Sequence, residues 1–301
     1  MTNKTNDRRS VLMIVSSMLI FGTIGIFRRY IPLSSPFLAF SRGILGGLCL
    51  LFFIRFKRKA GGEKIPFRLI LQLSLTGALI GFNWILLFEA YNYTSVAVAT
   101  LCYYMQPTIV VLLSPIIFRE KLTLKKAVCA AAAILGMVLV SGVPGQTGSG
   151  LPGGSTRGVM LGLGAAVIYA SVIIMNKKLP GIDAYQKTMI QLFSAGLVLI
   201  PYLALTKGFM ISGSISPLVI LLLLIVGIIH TGIAYLLYFA SMDGLTVQSI
   251  AILSYIDPVS ALLFSAILLG ERLGILSMIG AAMIIGSAII SEMDPAEKQD
   301  S

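Results

Sequence analysis

Charge is scarce in this 301-residue chain. Asp, Glu, Lys and Arg together make up 12% of it, about half the share of an ordinary soluble domain. Histidine occurs once and tryptophan once. The three cysteines, Cys49, Cys102 and Cys129, all fall inside apolar runs and form no CxxC, so they read as small core hydrophobes rather than disulfide partners or metal ligands. No Walker A loop, HExxH or GxSxG is present, which removes an ATPase of the chain's own and leaves no visible hydrolase or metalloenzyme constellation. An enzyme is therefore not expected, nor a bound metal or cofactor.

What fills the chain is apolar. Hydrophobic residues are 57% of it and mean hydropathy is +0.94, a composition that belongs to the membrane class. Runs of spanning length have cores at 11–27, 37–54, 69–88, 96–118 and 127–143. After a Gly/Ser/Pro-rich linker, further runs lie at 159–175, 189–205, 218–242, 245–269 and 275–290. The runs are continuous rather than alternating, so helices are predicted and not a barrel. Arg8-Arg9 before the first run resembles a signal peptide, but no small-x-small cleavage site follows, and a retained first span is expected.

The formal charge of +11 does not point to nucleic acid. Lys and Arg cluster in short segments between apolar runs, with no aromatic-rich basic face. Arg28, Arg29, Arg157, Lys207 and Arg272 fall on one side of the ten runs, Arg42 lies within a run, and all other bases fall on the opposite side. The heavily basic side is expected to be cytoplasmic, with both termini there, in a bacterial inner (plasma) membrane.

Laying residue n over n+151 aligns the third to fifth runs of each half without a gap. Tyr104 falls on Tyr255, Pro107 on Pro258, Ser114 on Ser265 and Glu120 on Glu271. A repeat with an odd number of spans enters the membrane inverted, and inverted repeats place a site at their interface near the midplane. The expected fold is an all-α polytopic membrane protein, with ten transmembrane helices as two inverted five-helix repeats. Residues 1–143 form the first repeat, 144–156 the linker, 157–291 the second repeat and 292–301 a cytoplasmic tail.

The segments 93–123, YTSVAVATLCYYMQPTIVVLLSPIIFREKLT, and 244–274, GLTVQSIAILSYIDPVSALLFSAILLGERLG, resemble the EamA-like ten-helix branch of the drug/metabolite transporter superfamily. Arg42 in FLAFSRGILGG matches the arginine usual in that family's second helix. The family often has Trp-Gly in the first helix, where this chain has Phe21-Gly22. The resemblance covers nearly the whole chain. It implies a central cavity lined by the first, third, fourth, sixth, eighth and ninth helices, and export or exchange of amino acids and similar metabolites.

Several residues are candidates for that cavity. Pro107 and Pro258, near the middle of their runs, read as hinges whose freed carbonyls border it. Each is preceded by a polar residue, Gln106 or Asp257, and by Tyr104 or Tyr255, while Thr100 and Gln248 lie farther along similar faces. Asp257 and His230 are ionisable at apparent mid-membrane depth, where such groups are rare and usually functional. Asn83, Trp84, Tyr235 and Tyr238, with Phe21 and Tyr169 on helices the family assigns to the cavity, would supply walls suited to stacking and cation–π contacts. Kinks, packing and satisfied hydrogen bonds are the structural alternatives. Arg42 and Glu89 both fall toward the outer face and suggest an ion pair, with carboxylate binding by Arg42 as the alternative. Glu120 and Glu271 close their helices, where a carboxylate opposes the N-terminus of the next. Gly43, Gly46 and Gly47 would let helices approach closely.

These observations predict a secondary transporter for a small metabolite, with protons the first coupling ion to consider. A small-solute channel, a membrane-embedded enzyme and a non-transporting scaffold are the alternatives. A channel would need a continuous polar stripe that these runs do not show.

Overall fold

The computed structural model describes residues 3–57, 65–93, 99, 102–140, 156–179, 182–209, 216–269 and 274–292. Among them every regular element is helical. In chain order these are α1 (Asn3–Arg29), α2 (Ser35–Lys57), α3 (Phe67–Tyr93), α4 (Gln106–Phe118), α5 (Leu124–Val140), α6 (Thr156–Lys177), α7 (Ala184–Leu205) and α8 (Pro217–Gly227). A π-helical turn, Ile228–Ile233, joins α8 to α9 (Ala234–Ser241). Then follow α10 (Val247–Ser254), α11 (Ile256–Leu269) and α12 (Ile275–Glu292).

Helix starts are written locally. Ser216 accepts from the Val219 N–H ahead of Pro217, and Thr246 accepts from the Ser249 N–H. Asp183 accepts from the N–H groups of Tyr185 and Gln186. Each cap satisfies donors that the first helical turn leaves open. Among the described residues five helical stretches are long and apolar enough to cross a membrane, at Ser35–Phe56, Phe67–Ala90, Thr156–Lys177, Ala184–Leu205 and Pro217–Gly244. Leu12, Phe52, Leu71, Leu112, Met160 and Leu221 are among the large apolar side chains exposed on the outside. Such a surface suits hydrocarbon rather than water.

The expected fourth and ninth spans are not continuous helices. Residues 94–98 and 100–101, and with them Thr100, lie outside the described residues. The chain turns at Tyr104–Met105 before α4 begins. The ninth run breaks at Tyr255 between α10 and α11. Pro107 therefore stands at the start of α4 and Pro258 in the first turn of α11. In the first turn a missing N–H costs nothing, so the prolines begin helices here rather than kinking them from within.

Helix pairing is close. α2 lies along α7, α3 against α6 and α7, α5 along α12, α1 against α9 and α11, and α4 against α10. At the α2–α7 crossing, a Cβ on Gly43 would lie 3.0 Å from the Gly196 nitrogen, so the two backbones nearly touch. Polar groups tie the interior. Gln191 Nε2 donates to Thr76 Oγ1 (2.7 Å) and to Asn176 Oδ1 (2.9 Å), joining α7 to α3 and α6. The buried Lys187 Nζ donates to the Asn176 carbonyl at 2.7 Å. Another junction gathers three elements. Glu120, after α4, accepts from the Val247 N–H at 3.0 Å, and Lys177, ending α6, donates to the Met242 and Leu245 carbonyls. Glu271 lies outside the described residues.

Candidate functional site

A cavity of about 300 Å³ opens where these helices converge. Phe21 and Gly22 come from α1, Arg42 from α2, Trp84 from α3 and Tyr169 from α6. Tyr235 and Tyr238 come from α9, Ser254 from α10 and Asp257 from α11. Tyr103 and Tyr104 line it from the segment before α4, and Gln106 from the start of α4. The walls are aromatic and mutually packed. The Phe21 and Tyr235 rings meet edge-on at 5.1 Å and Trp84 and Tyr235 at 6.3 Å, while Tyr103 and Tyr169 lie tilted at 6.1 Å. Such walls accept apolar or cationic surface by stacking and by attraction to ring faces.

Two charged groups face this space. Arg42 places its guanidinium carbon 5.3 Å from the Trp84 ring centroid, and its Nε donates to Thr231 Oγ1 at 3.0 Å. Thr231 in turn donates to the Val226 carbonyl, five residues back, a spacing that the π-helical turn creates. Asp257 Oδ2 accepts from the Tyr104 hydroxyl at 2.9 Å. Gln106 is only 3% exposed, lines the cavity, and has no hydrogen-bond partner for Oε1 among the described residues. A buried acceptor without a donor carries a desolvation cost that a ligand group can relieve.

The structure sorts the sequence candidates. Phe21, Arg42, Trp84, Tyr104, Gln106, Tyr169, Tyr235, Tyr238 and Asp257 share the cavity. Asn83 is turned away and donates to the Ala165 carbonyl at 2.7 Å, holding α3 to α6. Gln248 donates to Ser114 (2.8 Å), and the Tyr255 hydroxyl pairs with Thr108 (2.8 Å), both fastening α10 and its end to α4.

His230 does not line the cavity either. Its Nε2 lies 2.8 Å from Thr23 Oγ1, and its ring packs edge-on against Phe27 at 4.6 Å. The extra residue in the π-helical turn changes which side chains face inward. Thr231 reaches Arg42 while His230 reaches α1, and Asp257 has Tyr104 instead of an imidazole. The expected ion pair is not formed either. Glu89 accepts from the Tyr202 hydroxyl of α7, and Arg42 holds Thr231. Sequence reasoning passed over Tyr103 and Ser254. Tyr103 adjoins Tyr104 and could have been found on that ground; Ser254 carried no signal.

The EamA-like transporter family model matches residues 8–142 and again 156–293, and the chain belongs to that family. Of curated proteins, it is 32% identical over 286 residues to a Bacillus subtilis (strain 168) protein named uncharacterized transporter YxxF, covering 94% of this chain and 89% of that one. Protein PecM of Dickeya dadantii (strain 3937) is 26% identical over 272 residues, covering 87% and 84%. The uncharacterized inner membrane transporter YicL of Salmonella typhimurium is 25% identical over 307 residues, covering 96% and 97%. A solved crystal structure superposes with a TM-score of 0.81 at 20% identity, over 94% of this chain and 98% of that one, a likeness of fold alone. The chain is a multi-pass membrane protein of a transporter family, which points to transport rather than enzymatic chemistry.

Proposed function

We propose that the protein carries a small zwitterionic, amphipathic solute, an amino acid or close analogue, across a bacterial inner membrane by alternating access. The observation that carries this reading is the pairing of Arg42 and Asp257 in one aromatic cavity. Among the described residues each has a neutral hydrogen-bond partner, Thr231 or Tyr104. A charge held out of water is stable when an opposite charge meets it. A solute with a carboxylate and an ammonium group supplies both, and its side chain lies on the rings.

In this reading the chain crosses the membrane ten times as two inverted five-helix repeats, with both termini cytoplasmic. Support comes from the two separate family matches and from the helix pairing. The contact of α3 with α6 has its counterpart in that of α9 with α1, while α2–α7 and α5–α12 are self-related. Inverted repeats give two related conformations around one site. Export or exchange is the direction the family suggests. Proton coupling falls to Asp257, since His230 is engaged with Thr23 away from the cavity.

Purified protein reconstituted in proteoliposomes tests this. Saturable uptake of a labelled zwitterionic amino acid, accelerated by the same solute inside, is expected, and Arg42→Gln or Asp257→Asn should abolish it. Non-saturating conductance in planar bilayers would replace the carrier with a channel. Competition by simple cations or anions alone would remove the zwitterion assignment.

A further inference from the structure

A second concavity, of about 590 Å³, runs along the outer seam of α5 and α12. The helices pack antiparallel, and a Cβ on Gly136 would lie 2.6 Å from the Gly280 carbonyl. Toward the start of α5 the seam widens into a cleft between Val128 and Cys129 on one wall and Met283 and Gly286 on the other. Gly286 leaves room, because a Cβ there would meet nothing within 4 Å. Val128 is 59% exposed, so the cleft opens outward, toward hydrocarbon. Ser287 donates to its own helix at Ile284 and offers the cleft no hydroxyl proton. An apolar cleft facing hydrocarbon gains dispersion contacts when a chain fills it.

Lys125 lines the mouth of the cleft in the first turn of α5, and the adjoining segment carries Lys126 and the exposed Arg119 and Lys121. The N-terminus of α5 adds its own partial positive charge. We propose that this cleft is a binding site for an anionic phospholipid, with an acyl chain in the α5–α12 seam and the phosphate held by the bases at its mouth. The proposal is independent of the solute cavity and of what that cavity carries.

Full-length protein in a nonionic detergent, titrated with phosphatidylglycerol or phosphatidylcholine and read by native mass spectrometry, tests it. Phosphatidylglycerol is expected to bind about tenfold more tightly or better, since each base near an anionic headgroup contributes appreciably. Lys121→Gln with Lys125→Gln should reduce its binding to the phosphatidylcholine level and leave phosphatidylcholine unchanged. Gly286→Leu, which fills the cleft, should remove the binding of both, and Val128→Trp, from the exposed wall, should do the same if Gly286→Leu does not fold. Equal binding of the two lipids, or indifference to both cleft-filling variants, would overturn the proposal. So would displacement by inorganic phosphate, which would mark a headgroup site without a chain. A dimer that Gly286→Leu dissociates would also overturn it, by making the seam an interface between copies.

Discussion

At Gly22, α1 closely approaches the site-bearing helix α11. A Cβ there would lie 1.9 Å from Ser260 Oγ, 2.8 Å from the Ala261 nitrogen and 2.9 Å from Ser260 Cβ. Relaxed contacts between carbon atoms are about 3.5–4.0 Å. In Gly22→Ala the Ser260 hydroxyl must swing aside and give up its bonds to the Met18 and Asp257 carbonyls, at 3.1 and 2.8 Å. The one Ser260 hydroxyl proton is shared between those carbonyls, so the bonding lost is worth about 0.5–1.5 kcal/mol in all, and the remaining overlap prises α1 from α11 at about 1–3 kcal/mol. The expected cost is roughly 1.5–4.5 kcal/mol. Ser260→Gly removes two of the three clashing atoms. The double variant should therefore be less destabilised than the sum of the singles, by about 1 kcal/mol or more. Trp84 is the chain's single tryptophan and lines the cavity, so its fluorescence reports unfolding in mixed micelles directly. Strict additivity, or a Gly22→Ala protein as stable as wild type, would refute the argument that this close approach sets the α1–α11 spacing.

Three further outcomes are expected. Arg42→Lys loses the Nε bond to Thr231 and the planar contact with Trp84. Solute affinity, read by Trp84 quenching, should fall at least about tenfold while unfolding shifts by no more than about 1 kcal/mol; unchanged affinity would take Arg42 out of the site. Asp257→Asn keeps an acceptor for Tyr104 but removes the charge, so proteoliposome exchange should be lost with little change in unfolding midpoint. Retained exchange would argue against Asp257 as ligand or proton carrier. Gly77→Ala places a Cβ 2.4 Å from the Gln191 carbonyl and should destabilise by about 1–3 kcal/mol or more. An unchanged midpoint would show that the α3–α7 seam yields.

Much of the site was legible because membrane sequences advertise depth. Trp84, Tyr235, Tyr238 and Asp257 stand out against apolar neighbours, and span counting brings them near one level. Direction around the helix was harder to read. The Arg42–Glu89 pairing came from depth alone, and depth is silent on which neighbour each side chain faces; Tyr202 of α7 meets Glu89 first. The π-helical turn at 228–233 leaves no mark in composition, yet one extra residue in a turn rotates everything beyond it. That rotation separates His230 from the cavity and delivers Thr231 to Arg42. Hydropathy was likewise blind to the break at Tyr255, since a helix interrupted inside the protein needs no polar sequence. The prolines were visible, but not whether they sat within a helix or at its start.

The break at Tyr255 also bears on turnover. It makes Asp257 a first-turn residue of α11, so the positive end of that helix already favours its negative charge. Under the proposed zwitterion reading, a bound ammonium group would add less than it would to an isolated buried carboxylate. The loaded state would then be correspondingly shallow, which would favour release of the cargo.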